Sequence, residues 1–218
     1  MFTTILRDEL LNHLKGTQPS TFAAYCGLIK SITAWRTPTV TEADYTGYGT
    51  RPSITFGSIA DTSPVGGRKI ANSSAVTFPQ NTGSSQDVIA WGLWNASTSG
   101  SLYAISLLDA DKPIWSVVTD TTNDYFETAG AHGLSTDQRV FLLAAPGAPI
   151  PTGVSEDTAY YVGTVVDTEA VTLSTTVSNG NPVAITAAGG CYLIPYTAVT
   201  IAGSATPEFA ASALAIEV

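Results

Sequence analysis

At 218 residues the chain is long enough to bury a core without disulfide staples, either as one large β-domain or as two small ones. It is 44% hydrophobic but only 12% charged, and Thr, Ser, Ala and Gly stand in for the missing charge, a mixture that favours strands and turns over helices. The net charge of −9 excludes a phosphate-neutralising surface and so a nucleic-acid partner, no run approaches the roughly twenty apolar residues of a membrane span, and Arg7, Asp8 and Glu9 interrupt any signal-peptide core.

Taken in order, residues 3–15 (TTILRDELLNHLK) are expected to form one amphipathic α-helix. Ile5, Leu6, Leu10 and Leu14 recur at helical spacing, Thr3 or Thr4 caps the start and Gly16 stops the end. Phe22 to Ile29 reads as the first strand. Ser31 to Arg51 reads as a loop whose aromatics, Trp35, Tyr45 and Tyr48, either close over the core as a lid or form a contact surface; the lid is the favoured reading. Ser53–Gly57 and Ala75–Pro79 alternate as short strands around a Gly66-Gly67-Arg68-Lys69 turn, which lacks the spacing of a phosphate loop.

The stretch from Asp87 to Ala96 is apolar almost throughout and is expected to be the central strand, covered on both faces, with Gly92 leaving room for a neighbouring backbone or ring. A Ser/Thr/Gly turn joins it to a hairpin partner over Leu102–Leu108. From about Trp115 to Ile194 the chain changes to small strands with tight turns: 139–143, 159–166, 170–173 and 182–185. Longer alternating strands return at 196–201 and 213–218. Cys26 and Cys191 each sit in an apolar run and are expected as buried free thiols, in keeping with synthesis and assembly in a cytoplasm.

The order of LRDELLNHLKG, AAYCGLI, SITFG, SAVTFP, AWGLWNASTSGSLYAISLL and a closing FAASALAIEV is similar to small tailed-bacteriophage virion proteins, many of them labelled tail fibre proteins. The resemblance covers residues 1–114 and 195–218. Between them AHGLSTDQRVFLL, PIPTGVSEDTAYYV and ITAAGG resemble a small β-module grafted into many phage structural proteins. The expected fold is therefore mainly β: an antiparallel β-sandwich or barrel-like parent domain with one N-terminal α-helix (1–114 and 195–218), and an inserted all-β module (115–194) that faces outward.

Chemistry-bearing residues are sparse. His13 on the expected helix and His132 in a His-Gly turn read as surface or turn-stabilising residues. Asp109 and Asp111 form an Asp-x-Asp without EF-hand spacing, and Glu156 and Asp157 precede Tyr160 and Tyr161 in what reads as a turn entering a strand. No catalytic, cofactor or metal residue is assigned. The resemblance implies a non-enzymatic virion protein. The favoured placement is a decoration (cement) protein on the outer capsid surface, assembled in the host cytoplasm and clamping capsid subunits by buried area. Its partners would be further copies of itself, a trimer by analogy, and major capsid or tail proteins. The alternative is a tail-associated or tail fibre protein, including an adhesin whose candidate contact residues Trp35, Tyr45, Tyr48, Tyr160 and Tyr161 grip a host glycan. A glycan hydrolase is the third and least favoured reading.

Overall fold

A computed structural model describes residues 7–8, 11–12, 15, 23–33, 39–61, 68–118, 121–144, 147–156, 158–178 and 181–217. The first eight strands are β1 (Tyr25–Ile32), β2 (Val40–Glu42), β3 (Ala60–Asp61), β4 (Arg68–Ala71), β5 (Val76–Thr77), β6 (Gln86–Val88), β7 (Ala90–Trp94) and β8 (Leu102–Leu107). Next come β9 (Asp109–Ala110), β10 (Ile114–Val118), β11 (Phe126–Thr128), β12 (Arg139–Ala144), β13 (Ala159–Val165), β14 (Ala170–Ser174) and β15 (Gly189–Thr197). The chain closes with β16 (Val199–Ile201), β17 (Glu208–Phe209) and β18 (Ala215–Glu217). Two compact units result: Met1–Lys30 with Thr41–Ser106 and Val199–Val218, and Ser31–Val40 with Leu107–Ala198.

The first unit is a set of small sheets, ordered β2-β1-β7-β8, β16-β6, β17-β5 and β18-β4-β3. All five residues of β7 are buried, as its unbroken apolar composition requires, and β7 lies inside the four-stranded sheet. The single strand expected over 87–96 is in fact two. Residues 86–88 pair antiparallel with β16, residues 90–94 pair with β1, and the chain changes sheet at Ile89, whose N–H donates to Ile29 O at 2.8 Å. Turning such a corner lets one apolar run serve two sheets. Ser53–Gly57 does not form a strand either. Ile54 N donates to Ala24 O and Gly57 N to Ala71 O, so its donors are divided between two partners and only isolated bridges form.

The second unit holds a closed antiparallel barrel. Its strands run β10-β11-β14-β13-β12-β15, and β15 pairs back with β10 from Ile114↔Leu193 to Val118↔Gly189, while β9 adds to β15 outside the ring. Closure removes open edges, and alternation sends one face of every strand inward. Phe126, Val140, Leu142, Val162, Leu173 and Leu193 form much of the resulting apolar core. The β13–β14 register shifts between Val162 and Val165, and there the Thr164 N–H is taken by Thr172 Oγ1 at 3.0 Å. The strand expected over 182–185 is not formed. Val183 N donates to Leu173 O, Ile185 N to Asp124 Oδ1 and Thr186 N to Thr152 O, three different partners in place of one ladder.

The expected N-terminal α-helix is not established as an element: of residues 3–15 only Arg7, Asp8, Leu11, Asn12 and Lys15 are described, and the first four of these have helical backbone. Most of residues 3–15 fall outside the described set; within it, Lys15 N donates to Leu11 O at 3.2 Å. Among the described residues no helix is long and apolar enough to cross a membrane.

Candidate functional site: where the aromatic and charged residues lie

Trp35 lies outside the described residues. Three of the other four candidate contact residues are buried: Tyr45 and Tyr48 close over the core, the favoured reading of their loop, and Tyr160 lies in the barrel core, so none of the three presents the exposed ring that the alternative adhesin reading asks for. Tyr45 is buried, donates its hydroxyl to Pro79 O at 2.9 Å and meets Tyr48 edge-on at 5.2 Å between ring centroids. Burial pushes its phenol up to about 12. Tyr48 is also buried, and its hydroxyl accepts Leu28 N–H at 2.9 Å while facing Glu42 Oε2 at 3.3 Å. Burial, reinforced by that carboxylate, raises its phenol far above the ordinary range. Tyr160 points into the barrel core and accepts Ser155 N–H at 2.9 Å. Tyr161, one residue on and so on the opposite face, is half-buried with the Arg139 guanidinium 5.9 Å from its ring centroid. The structure brings Tyr45 and Tyr48 together and sets Tyr160 and Tyr161 on opposite sides of one strand.

The acidic candidates do not converge. Asp109 is exposed in β9 opposite Thr197, while the Asp111 N–H donates to Pro195 O. Glu156 Oε1 accepts Ala144 N–H at 2.6 Å, which makes it a turn-bracing group; Asp157 lies outside the described residues, as does His13. His132 is nearly buried. Leu134 N donates to its Nδ1 at 2.8 Å, so Nε2 carries the proton and donates to Asp167 O at 3.0 Å, and the ring ties the Gly133 turn to the β13–β14 hairpin. No group of three or more His, Cys, Asp or Glu among the described residues could hold a metal. Arg68 and Lys69, expected in a turn, belong to β4, and Arg68 pairs with Asp61 at 2.9 Å. A groove of ≈ 480 Å³ beside β3 and β4 is lined by Asp61, Lys69, Asn72 and Ser212, among others. Asn72 is committed elsewhere: its amide donates to Ser74 O and Ala210 O and accepts Leu214 N–H.

The most organised polar cluster is one that composition did not reveal. Gly27 and Gly92 face each other across the β1–β7 pair, and the ring of Trp94 lies over both: a Cβ on either would come within 2.5 and 2.6 Å of it. The Arg51 guanidinium stacks on that indole, 4.2 Å from the ring centroid. Arg51 Nε donates to Glu42 Oε2 at 2.8 Å, Nη2 donates to Glu42 Oε1, and Nη1 donates to Ala96 O and Ser99 O at 2.9 and 2.6 Å. Arg51 N donates to Ser97 O as well. A single buried guanidinium thus holds the β7–β8 turn against β2. Gly92 in an apolar strand was the legible half of this arrangement, since it called for a ring or backbone; the identity of that ring and of the cation above it depended on folding. The arrangement binds and orients backbone. It presents no group positioned to attack or to exchange a proton with a substrate.

The model of a family described as podophage GP4 fiber I protein gp80 matches residues 1–123, more than half of the chain. No curated protein matches the chain. The match agrees with the resemblance to tailed-phage virion proteins, and it begins in the part of the chain where those motifs begin. This mainly β protein, with its closed barrel and its small sheets knit by buried polar side chains, belongs to the family of the podophage GP4 fiber I protein gp80.

Proposed function

We propose that the protein is a non-enzymatic fibre component of a podophage virion, carried on the tail. The family match over residues 1–123 carries this reading. It favours the tail fibre alternative over head decoration, for which neither the fold nor the family offers support.

Within this reading the first unit is the body shared with the family, and the barrel is a module inserted into it and turned outward. Barrel strands β11 to β15 lie beyond the matched residues, and the first unit is assembled from segments on both sides of the barrel. Labelling of purified particles with antibody to the barrel tests both points. Decoration of the tail is the expected result, and labelling confined to the head would overturn the tail assignment.

A further inference from the structure

Trp115 differs from the other described tryptophans. Trp91 and Trp94 are 6% and 3% exposed, whereas Trp115 is 36% exposed and is the one aromatic among the exposed large hydrophobics of the described residues. It sits on β10 with its side chain on the outer face of the barrel, because Ser116 and Val118 on either side of the alternation are buried inward. Directly opposite, on β15, is half-buried Tyr192, whose ring meets the indole edge-on at 5.3 Å and 62°. The six-membered ring of the indole covers Gly190: a Cβ there would sit 2.6 Å from Cη2 and 3.0 Å from Cζ2. Glycine at 190 therefore lets the indole lie down on the strand, while Tyr192 braces its edge. One face is spent on the barrel and the other is turned to solvent.

We propose that the outward face of Trp115 is a stacking site for a neutral sugar ring. A flat, immobilised aromatic face of this size matches one pyranose, whose axial C–H groups pack on it at little entropic cost because the ring is already held. Tyr192, whose ring meets the indole edge, puts a phenol beside it as a hydrogen-bonding group for sugar hydroxyls. The acidic balance of the chain, −9 overall, disfavours a polyanionic glycan and favours an uncharged one. A protein partner would need a far wider apolar surface, on the order of 1,000 Å² in total, than one indole offers. The site does not depend on where the chain sits in the virion.

The test uses the full 218-residue protein, ¹⁵N-labelled, titrated with maltotriose, chitotriose and a rhamnose trisaccharide while the signals of its four indole N–H groups are followed. Trp115→Ala assigns its signal by deletion. The expected result is that at least one trisaccharide shifts that signal, that Trp115→Ala weakens binding about tenfold or more, and that Trp115→Phe retains most of it. Gly190→Ala, which keeps the indole but displaces it from the strand, is expected to weaken binding as well. The proposal is overturned if no trisaccharide moves the Trp115 signal, if Trp115→Ala binds as tightly as the parent, or if Trp115→Ala instead changes the oligomeric state in size-exclusion chromatography. Should Trp115→Ala fail to fold, the parent's own indole signal and Trp115→Phe decide the matter.

Discussion

The two units solve the same problem by different means. In the barrel, six strands close on themselves, the ladders satisfy most backbone groups, and the interior is left to Phe126, Val140, Leu142, Val162, Leu173 and Leu193. In the first unit several strands are only two to four residues long, too short for ladders to hold the chain, and buried polar side chains take over. Asn81, fully buried, donates to Ser84 O at 2.8 Å and to Ile201 O and Ala202 O at 3.3 Å, and accepts Gly83 N–H. Asn72 joins residues 74, 210 and 214 in the same way, and Arg51 holds the β7–β8 turn. Where a sheet closes, the core can be oily; where ladders are short, side-chain amides and a guanidinium stand in for missing strand partners.

Substitutions on each side of this contrast should fail differently. Leu173→Ala removes a fully buried barrel side chain and is expected to cost about 3–4 kcal/mol, with hydrogen-exchange protection falling together across β10 to β15. Arg51→Ala takes the guanidinium from Glu42 and a donor from two turn carbonyls, at a cost of about 3 kcal/mol in denaturant titration. A double substitution, Arg51→Met with Glu42→Leu, should recover part of that loss, because no lone carboxylate remains; a result no better than the single variant would break the comparison. Asn81→Ala should cost about 2 kcal/mol and lower protection mainly around residues 81–84 and 201–205, leaving the barrel amides unchanged.

The smallest effect is one both units share. Cys26 and Cys191 are free and buried, and burial raises both thiols, Cys191 to about 11 and Cys26 further still. Each folded-state value lies above that of the unfolded chain, so the contribution is fully present below about pH 8.5 and is lost as pH rises through the folded values. Stability should thus decline on the alkaline side, and neither thiol should react with an alkylating reagent at neutral pH until the protein unfolds. Rapid labelling of the native protein at either position would contradict the burial.

Much of the β character was legible. The runs 139–143, 159–166 and 170–173 were expected as strands and correspond to β12, β13 and β14, and the two thiols sit where their apolar neighbours placed them. Local pattern reaches this far because alternation and turn residues are properties of adjacent positions. It offered Tyr45 and Tyr48 as a lid over the core, but only as one of two readings, and gave no inward placement for Tyr160, since a phenol suits either a wet surface or a buried site with one hydrogen-bond partner, and those partners (Pro79 O, Leu28 N and Ser155 N) belong to the folded chain. Nor did spacing reveal the pair formed by Arg51 and Glu42, nine residues apart across a loop.

By itself, then, the sequence determined that this chain would be a strand-rich, acidic protein with an apolar run at 87–96, buried thiols and a strand-dense stretch after residue 115. Only the tertiary structure decided that this apolar run turns a corner at Ile89, that β10 meets β15 across some seventy residues to close a ring, and that Trp94 is buried while Trp115 faces water. The reason is physical: alternation states which residues share a face of a strand, but which face is covered follows from partners that only the folded chain brings alongside.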